Sequence, residues 1–161
     1  AYAKSQVNYM NLNGGFTNVA LRALTGMPTI RYRQGQQNDW SIIQEADAKG
    51  YIMTSGCMQS YFGLIPGHAY TLVGAKQLSN GVKLVRMRNP WGIEKYVGPY
   101  SDDSSEWTAA LKSEVDYVDK DDGFFYMLFD HFQALFPDYV VTKWKDDYEI
   151  NTIEVENGGA E

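Results

Sequence analysis

Two β-favouring segments on either side of one tight turn constrain this fold more than any other feature. Residues 68–75, His-Ala-Tyr-Thr-Leu-Val-Gly-Ala, are dense in β-branched and aromatic types and follow a Pro66-Gly67 break. Residues 82–88 alternate, with Val82 and Leu84 on one side and Val85 and Met87 on the other. Between them, Asn80-Gly81 takes positive φ at little cost. The pattern predicts antiparallel strands over 69–76 and 82–88. A hairpin sets the start of its first strand beside the end of its second, so positions 68 and 89 share one rim.

The other segments frame this hairpin. Residues 11–15 read as an Asn/Gly turn, and Thr17 is the expected N-cap of a helix over 18–25 that Gly26 stops. Ala20, Ala23 and Leu24 would form its apolar face. After a loop over 33–38, Asn38 or Asp39 caps a helix running to Lys49, with Trp40, Ile43 and Ala46 as its buried stripe. Residues 51–54 form a short strand candidate ended by Ser55-Gly56. Residues 92–103 read as loop, and Ser104 or Ser105 starts a helix across Trp107 and Leu111. The Asp121–Gly123 turn feeds a strand over 124–129. Asp130 then caps a brief helix carrying Phe132, Leu135 and Phe136, which Pro137 stops, and 139–144 form a last strand. The tail from Asn151 is expected to fray.

With 44% apolar and 14% aromatic residues in 161, the chain has enough to bury in one core or two small lobes, which excludes disorder over most of its length. No run reaches the ~18 apolar residues of a membrane span, and the N-terminus carries no signal-peptide core. It begins without Met, as expected of a processed or excised piece. The lone Cys57 favours a reducing compartment.

Charge is unevenly distributed. Residues 1–93 carry nine Lys/Arg against three Asp/Glu, and residues 94–161 carry five against seventeen. Nucleic acid is excluded as a natural partner of so acidic a chain. The acidic half fits either a solvated, solubilising face or a cation or docking surface.

Two histidines and one cysteine leave no zinc-ligand spacing. His131 lies among aromatic residues and fits packing or a cap contact better than catalysis. His68 opens a strand, where the ladder holds its backbone and the ring projects from the sheet end. Imidazole is the usual general base at neutral pH. Asn89 closes the partner strand, and its amide oxygen could accept from the ring and fix its tautomer. Trp91 could cover that bond. A plainer alternative makes Asn89-Pro90 a turn start and Trp91 a core residue. Cys57 completes a Cys-His-Asn trio, but no helix N-terminus or cation adjoins it, so a buried structural thiol is expected.

At these residues the chain resembles the calpain family of papain-like cysteine proteases. Residues 67–75 (GHAYTLVGA) and 88–92 (RNPWG) resemble its His and Asn blocks. AYAK (1–4), GGFTNVALRALTG (14–26), SGC (55–57), SDDSSEW (101–107) and 122–136 resemble flanking stretches in family order. The resemblance implies an α+β fold, antiparallel sheets with flanking short helices, over residues 1–144, with 145–161 as a C-terminal extension. It implies that His68 is the general base, Asn89 its orienting residue, and Trp91 and Gly67 their supports along the substrate groove. It further implies that the nucleophilic cysteine and the oxyanion-hole glutamine belong to another lobe, and that Cys57 is not catalytic. The chain would then be half of a cytoplasmic cysteine endopeptidase core, inactive without its partner lobe. It would act on protein or peptide substrates and could self-associate through its exposed cleft face. A pseudo-protease lobe used for binding, or an unrelated β-rich binding module with His68 and Asn89 far apart, are the rival readings. No cofactor is expected. Where the family's calcium loops typically carry glutamate and tryptophan this chain has Lys95 and Tyr96. Phe124 replaces a further acid, although Asp102 and Asp122 match, so no tight calcium site is expected.

Overall fold

The computed structural model describes residues 9–12 and 14–149. Among these residues six strands form one antiparallel sheet: β1 (Thr29–Arg33), β2 (Ile52–Cys57), β3 (His68–Gln77), β4 (Lys83–Arg88), β5 (Phe124–Leu128) and β6 (Asp138–Thr142). Their spatial order is β1-β6-β2-β3-β4-β5. Four short helices flank the sheet: α1 (Thr17–Thr25), α2 (Asp39–Ala48), α3 (Ala109–Lys112) and α4 (Phe129–Leu135), with a 3-10 turn at Tyr9–Leu12. The architecture is the α+β arrangement expected.

The hairpin forms, and it contains a feature that the alternation did not show. Gln77 pairs with Lys83 and Gly74 with Arg86, yet Leu72 pairs with Met87 and Thr71 with Arg88. One residue, Val73, is therefore extra on β3. Strand side chains alternate faces, so an insertion of one residue reverses the facing of everything beyond it. The bulge lets Ala75 and Leu72, three positions apart, both face the main core with Val85 and Met87. The same shift carries Tyr70 and His68 onto that face, and Asn89 follows Met87 there at the next step of two. Without it, continuing the register would set Asn89 opposite Thr71 on the core face and turn His68 to the other side of the sheet. Asp47 at the end of α2 supports the bulge, its Oδ2 accepting from Ala75 N–H at 3.1 Å.

Two hydrophobic clusters hold the sheet. The larger joins Trp40, Ile43 and Ala46 of α2 and Phe132 and Leu135 of α4 to Met53, Tyr70, Leu72, Met87, Phe125 and Tyr139. The α2 stripe is the one its three-residue spacing predicted, and Asn38 caps the helix by accepting from Ser41 N–H. The smaller cluster covers the other face of β4 and β5 with Leu78, Leu84, Tyr100, Trp107, Leu111 and Tyr126. Val85 and Leu84 are thus both buried, one in each cluster, as a strand covered on both faces requires.

Several local expectations are corrected. Helix α1 begins at Thr17 itself; Phe16 occupies the cap position and makes no side-chain cap bond. Thr17 Oγ1 instead accepts from the Thr54 hydroxyl at 2.8 Å, tying α1 to β2. Nothing in α1 is buried, Leu24 is 75% exposed and Ala23 is exposed, so the predicted apolar face is not a core face. Ser55-Gly56 does not end β2, because β2 lies between β3 and β6, and Ser55 Oγ donates to Asp138 O at 2.5 Å. The helix expected across Trp107 shrinks to Ala109–Lys112, capped by Thr108 rather than Ser104 or Ser105. Leu128, not Asp130, sits at the cap position of α4. Arg33 belongs to β1, a strand not foreseen at all, and β6 stops at Thr142. The AYAK segment and the tail from Asn151 lie outside the described residues.

Candidate active site

His68 is the first residue of β3 and pairs with Cys57, the last of β2. The preceding Gly67 turns the chain at φ 68°, a left-handed conformation that suits glycine, and donates its N–H to Cys57 O at 2.8 Å. The imidazole is therefore anchored on both sides of its own backbone. It leaves the sheet at the rim of the core face, edge-on to Tyr70 with ring centroids 4.9 Å apart.

Asn89 lies one residue beyond β4 and is fully buried. Its amide is fixed by three partners. Oδ1 accepts from Trp91 N–H at 3.1 Å, and Nδ2 donates to Ile93 O at 3.0 Å. Backbone groups at those two places admit only one amide orientation, because an N–H must meet the oxygen and a carbonyl must meet the nitrogen. Oδ1 therefore also faces His68 Nε2, 2.9 Å away. An acceptor there requires the ring to donate, so neutral His68 carries its proton on Nε2 and leaves the Nδ1 lone pair available.

The Asn89 backbone is clamped as firmly as its side chain. Its N–H donates to Gly123 O at 2.8 Å, and its carbonyl accepts from Gly92 N–H at 3.0 Å. Gly123 has φ 85°, and a Cβ built there would lie 2.6 Å from Asn89 O. Gly123→Ala should cost roughly 2 kcal/mol or more, since it combines left-handed strain with a backbone clash that no side-chain rotation relieves. Urea unfolding of the variant measures this directly. A substitution that leaves the midpoint unchanged would remove Gly123 from the site's support.

Trp91 lies against His68, with ring centroids 4.4 Å apart and planes tilted by 42°. Its other face is open; the side chain is 59% exposed. It is no core residue. It shields one side of the imidazole while presenting apolar surface outward.

Cys57 shares the His68 register position but not its chemistry. The residue is fully buried in the main cluster, and its thiol donates to Gln59 O at 3.1 Å. Burial pushes the thiol pKa up, away from the thiolate that nucleophilic attack requires. His131 is likewise occupied by packing, stacked on Phe62 at 5.1 Å with Nδ1 3.4 Å from the Tyr96 hydroxyl.

Beyond Asn89 the chain enters an acidic hollow of about 620 Å³ lined by Glu94, Asp102, Asp103, Glu106, Asp119 and Asp121, among others. Asp102 N–H donates to Glu94 Oε1 at 3.4 Å, and Glu94 N–H donates to Asp121 Oδ1 at 2.5 Å. Burial, then the charge of Asp102, push the Glu94 carboxyl up to about 8. Burial raises Asp102 as well. The stability that protonated Glu94 contributes is complete below its unfolded pKa of 4.5 and is lost as pH climbs through about 8. Glu94→Gln should therefore stabilise the chain by roughly 2 kcal/mol at pH 9 and have little effect near pH 4.5. Urea midpoints at the two pH values test this; an equal effect at both would contradict it. Neither this acidic pairing nor the β3 bulge carried a sequence signal beyond the acidity itself.

A histidine held in one tautomer by a buried amide at a sheet rim has the geometry that a general base needs. Comparison with known proteins assigns the family. The model of the calpain family cysteine proteases matches residues 1–143. Calpain-9 of Homo sapiens is 34% identical over 155 residues, 84% of this chain and 22% of the relative. Calpain-9 of Rattus norvegicus is 32% identical over 173 residues, 95% of this chain and 25% of the relative. The Calpain-1 catalytic subunit of Macaca fascicularis is 36% identical over 154 residues, 84% and 21%. The chain belongs to the calpain family of cysteine proteases. It spans about a fifth to a quarter of the length of the relatives it matches.

Proposed function

We propose that this chain is the base-bearing lobe of a calpain-type cysteine endopeptidase core, with His68 as general base and Asn89 as the residue that orients it. The observation that carries this reading is the 2.9 Å contact between His68 Nε2 and the buried Asn89 Oδ1. A second lobe supplies a cysteine thiol and the donors that stabilise the oxyanion. His68 Nδ1 takes the thiol proton, the thiolate adds to the peptide carbonyl, and the imidazolium returns that proton from Nδ1 to the leaving amine. Water then hydrolyses the acyl-enzyme with His68 again as base. Throughout, Nε2–H stays on Asn89, Trp91 shields the ring, and Gly67 presents backbone to the substrate groove.

The lobe alone hydrolyses nothing, since Cys57 is buried with a raised pKa. Its partners are the cysteine-bearing lobe and protein or peptide substrates, with self-association through the open cleft face; it takes no nucleic acid and works in the cytoplasm. No helix among the described residues is long and apolar enough to cross a membrane.

The acidic hollow does not suit calcium. That ion needs six to eight oxygen ligands, and here Lys95 brings a cation into the lining. No step of the mechanism passes through a metal or cofactor.

Mixing this chain with a matching cysteine-bearing lobe and assaying peptide cleavage, with and without calcium, tests the reading. Cleavage should appear only in the mixture and survive Cys57→Ala. Cleavage by this chain alone that Cys57→Ala abolishes would overturn it. No cleavage by a mixture whose second lobe carries the cysteine would favour a pseudo-protease lobe used for binding.

A further inference from the structure

On the sheet face opposite the main aromatic cluster, a groove of about 530 Å³ starts at Gly67 and His68 and runs across the strands. Its floor is set by register. Ala69 pairs with Gly56, Ser55 with Tyr139, and Asp138 with Arg33, so Ala69, Gly56, Asp138 and Arg33 form one row on this face. Near His68 the row is almost bare of side chains. A Cβ added at Gly56 would meet nothing within 4 Å. Phe16 and Met58, 62% and 64% exposed, form apolar walls.

The far end of the groove is cationic. Arg31 Nη2 lies 2.5 Å from Asp138 Oδ2, and its guanidinium also lies over the Phe16 ring at 4.5 Å, so that carboxylate is already neutralised. Arg33, the next residue on the same face of β1, is exposed and makes no ion pair among the described residues. From Ala69 to Arg33 is three strand spacings, roughly 14 Å, about the length of four extended residues.

We propose that Arg33, in the lining of this substrate groove, selects an acidic side chain, aspartate or glutamate, on the segment of substrate chain flanking the scissile bond. The proposal rests on the reading of His68 as the catalytic base, which places the scissile bond at the sheet rim where the groove begins. The apolar walls and bare floor accept the peptide, and Arg33, the one charge of the described lining without an ion pair, decides which side chain is preferred. An exposed pair of this kind is worth a few-fold in affinity, not orders of magnitude.

The test titrates the 161-residue chain, by ¹H–¹⁵N NMR at low ionic strength, with capped tetrapeptides of sequence Ala-X-Ala-Leu in which X is Glu, Gln or Lys. The expected result is shifts at Gly56 and Ala69, with the Glu peptide binding roughly two- to five-fold more tightly than the Gln peptide. Salt should erase that difference. Arg33→Gln should abolish it, Arg33→Glu should transfer the preference to the Lys peptide, and Gly56→Leu should block shifts at Ala69 for all three. Absence of shifts at Gly56 and Ala69, equal binding of the Glu and Gln peptides, or a preference that survives Arg33→Gln would each overturn the proposal. This readout needs no cleavage, so its failure is told apart from that of the two-lobe cleavage assay, and a cleaving mixture with no charge preference refutes the proposal alone.

Discussion

In a reconstituted two-lobe core, His68→Ala should lower kcat/KM by roughly 10³-fold or more, and Asn89→Ala by about 10²-fold. The two losses differ because the two residues do different things. Removing the imidazole removes the base of the proposed mechanism, and the thiol then loses that acceptor for its proton. Removing the amide leaves the ring in place but frees it to rotate and to exchange tautomers, so only a fraction of molecules present Nδ1 correctly. Asn89→Ala should also cost stability, because Trp91 N–H and Ile93 O lose their buried partner. His68→Ala should cost much less, since the ring stands at the rim. Peptide hydrolysis and urea unfolding of both variants separate the effects. Equal losses of activity, or a stable and fully active Asn89→Ala variant, would contradict this division of roles.

Deleting Val73 should leave the site standing. The deletion removes the residue of β3 that has no partner on β4, so Leu72–Met87 and Gly74–Arg86 become consecutive pairs of an unbroken ladder and both ends keep their facing. His68, Tyr70 and Leu72 stay on the core face with Ala75, which then lies two positions from Leu72. Val73→Ala keeps the residue count and the bulge. Both variants should retain most of the activity of the reconstituted core in the peptide assay. A deletion variant that folds yet no longer cleaves would show that the bulge itself, and not the pairing on either side of it, places the site.

How much of this could be read from the sequence depends on how local each feature is. The hairpin, the turn at Asn80-Gly81 and the α2 stripe of Trp40, Ile43 and Ala46 involve neighbours in the chain, and local pattern reveals them. The bulge does not show itself, because His-Ala-Tyr-Thr-Leu-Val-Gly-Ala is as compatible with straight alternation as with one extra residue. The expected proximity of His68 and Asn89 was right about the rim, but the shared face depends on the ladder passing over Val73 without pairing it. Strand β1 escaped notice for a different reason. Thr-Ile-Arg-Tyr-Arg carries two arginines and half-exposed residues, and its only partner, β6, lies more than a hundred positions away. Trp107 was expected on a helix; it precedes one, and it is buried by the Tyr100–Tyr126 cluster with an indole N–H bond to Ser101 O. The predicted apolar face of α1 failed because spacing reveals that a face exists without revealing what covers it.

The most direct measurement is the ¹⁵N spectrum of the His68 imidazole at a pH where the ring is neutral. The geometry predicts a protonated Nε2 and an unprotonated Nδ1, with Asn89→Ala shifting the ring toward a mixture of the two tautomers. A ring protonated on Nδ1 in the parent chain, or one indifferent to the loss of Asn89, would contradict the claim that this amide prepares His68 to accept a thiol proton.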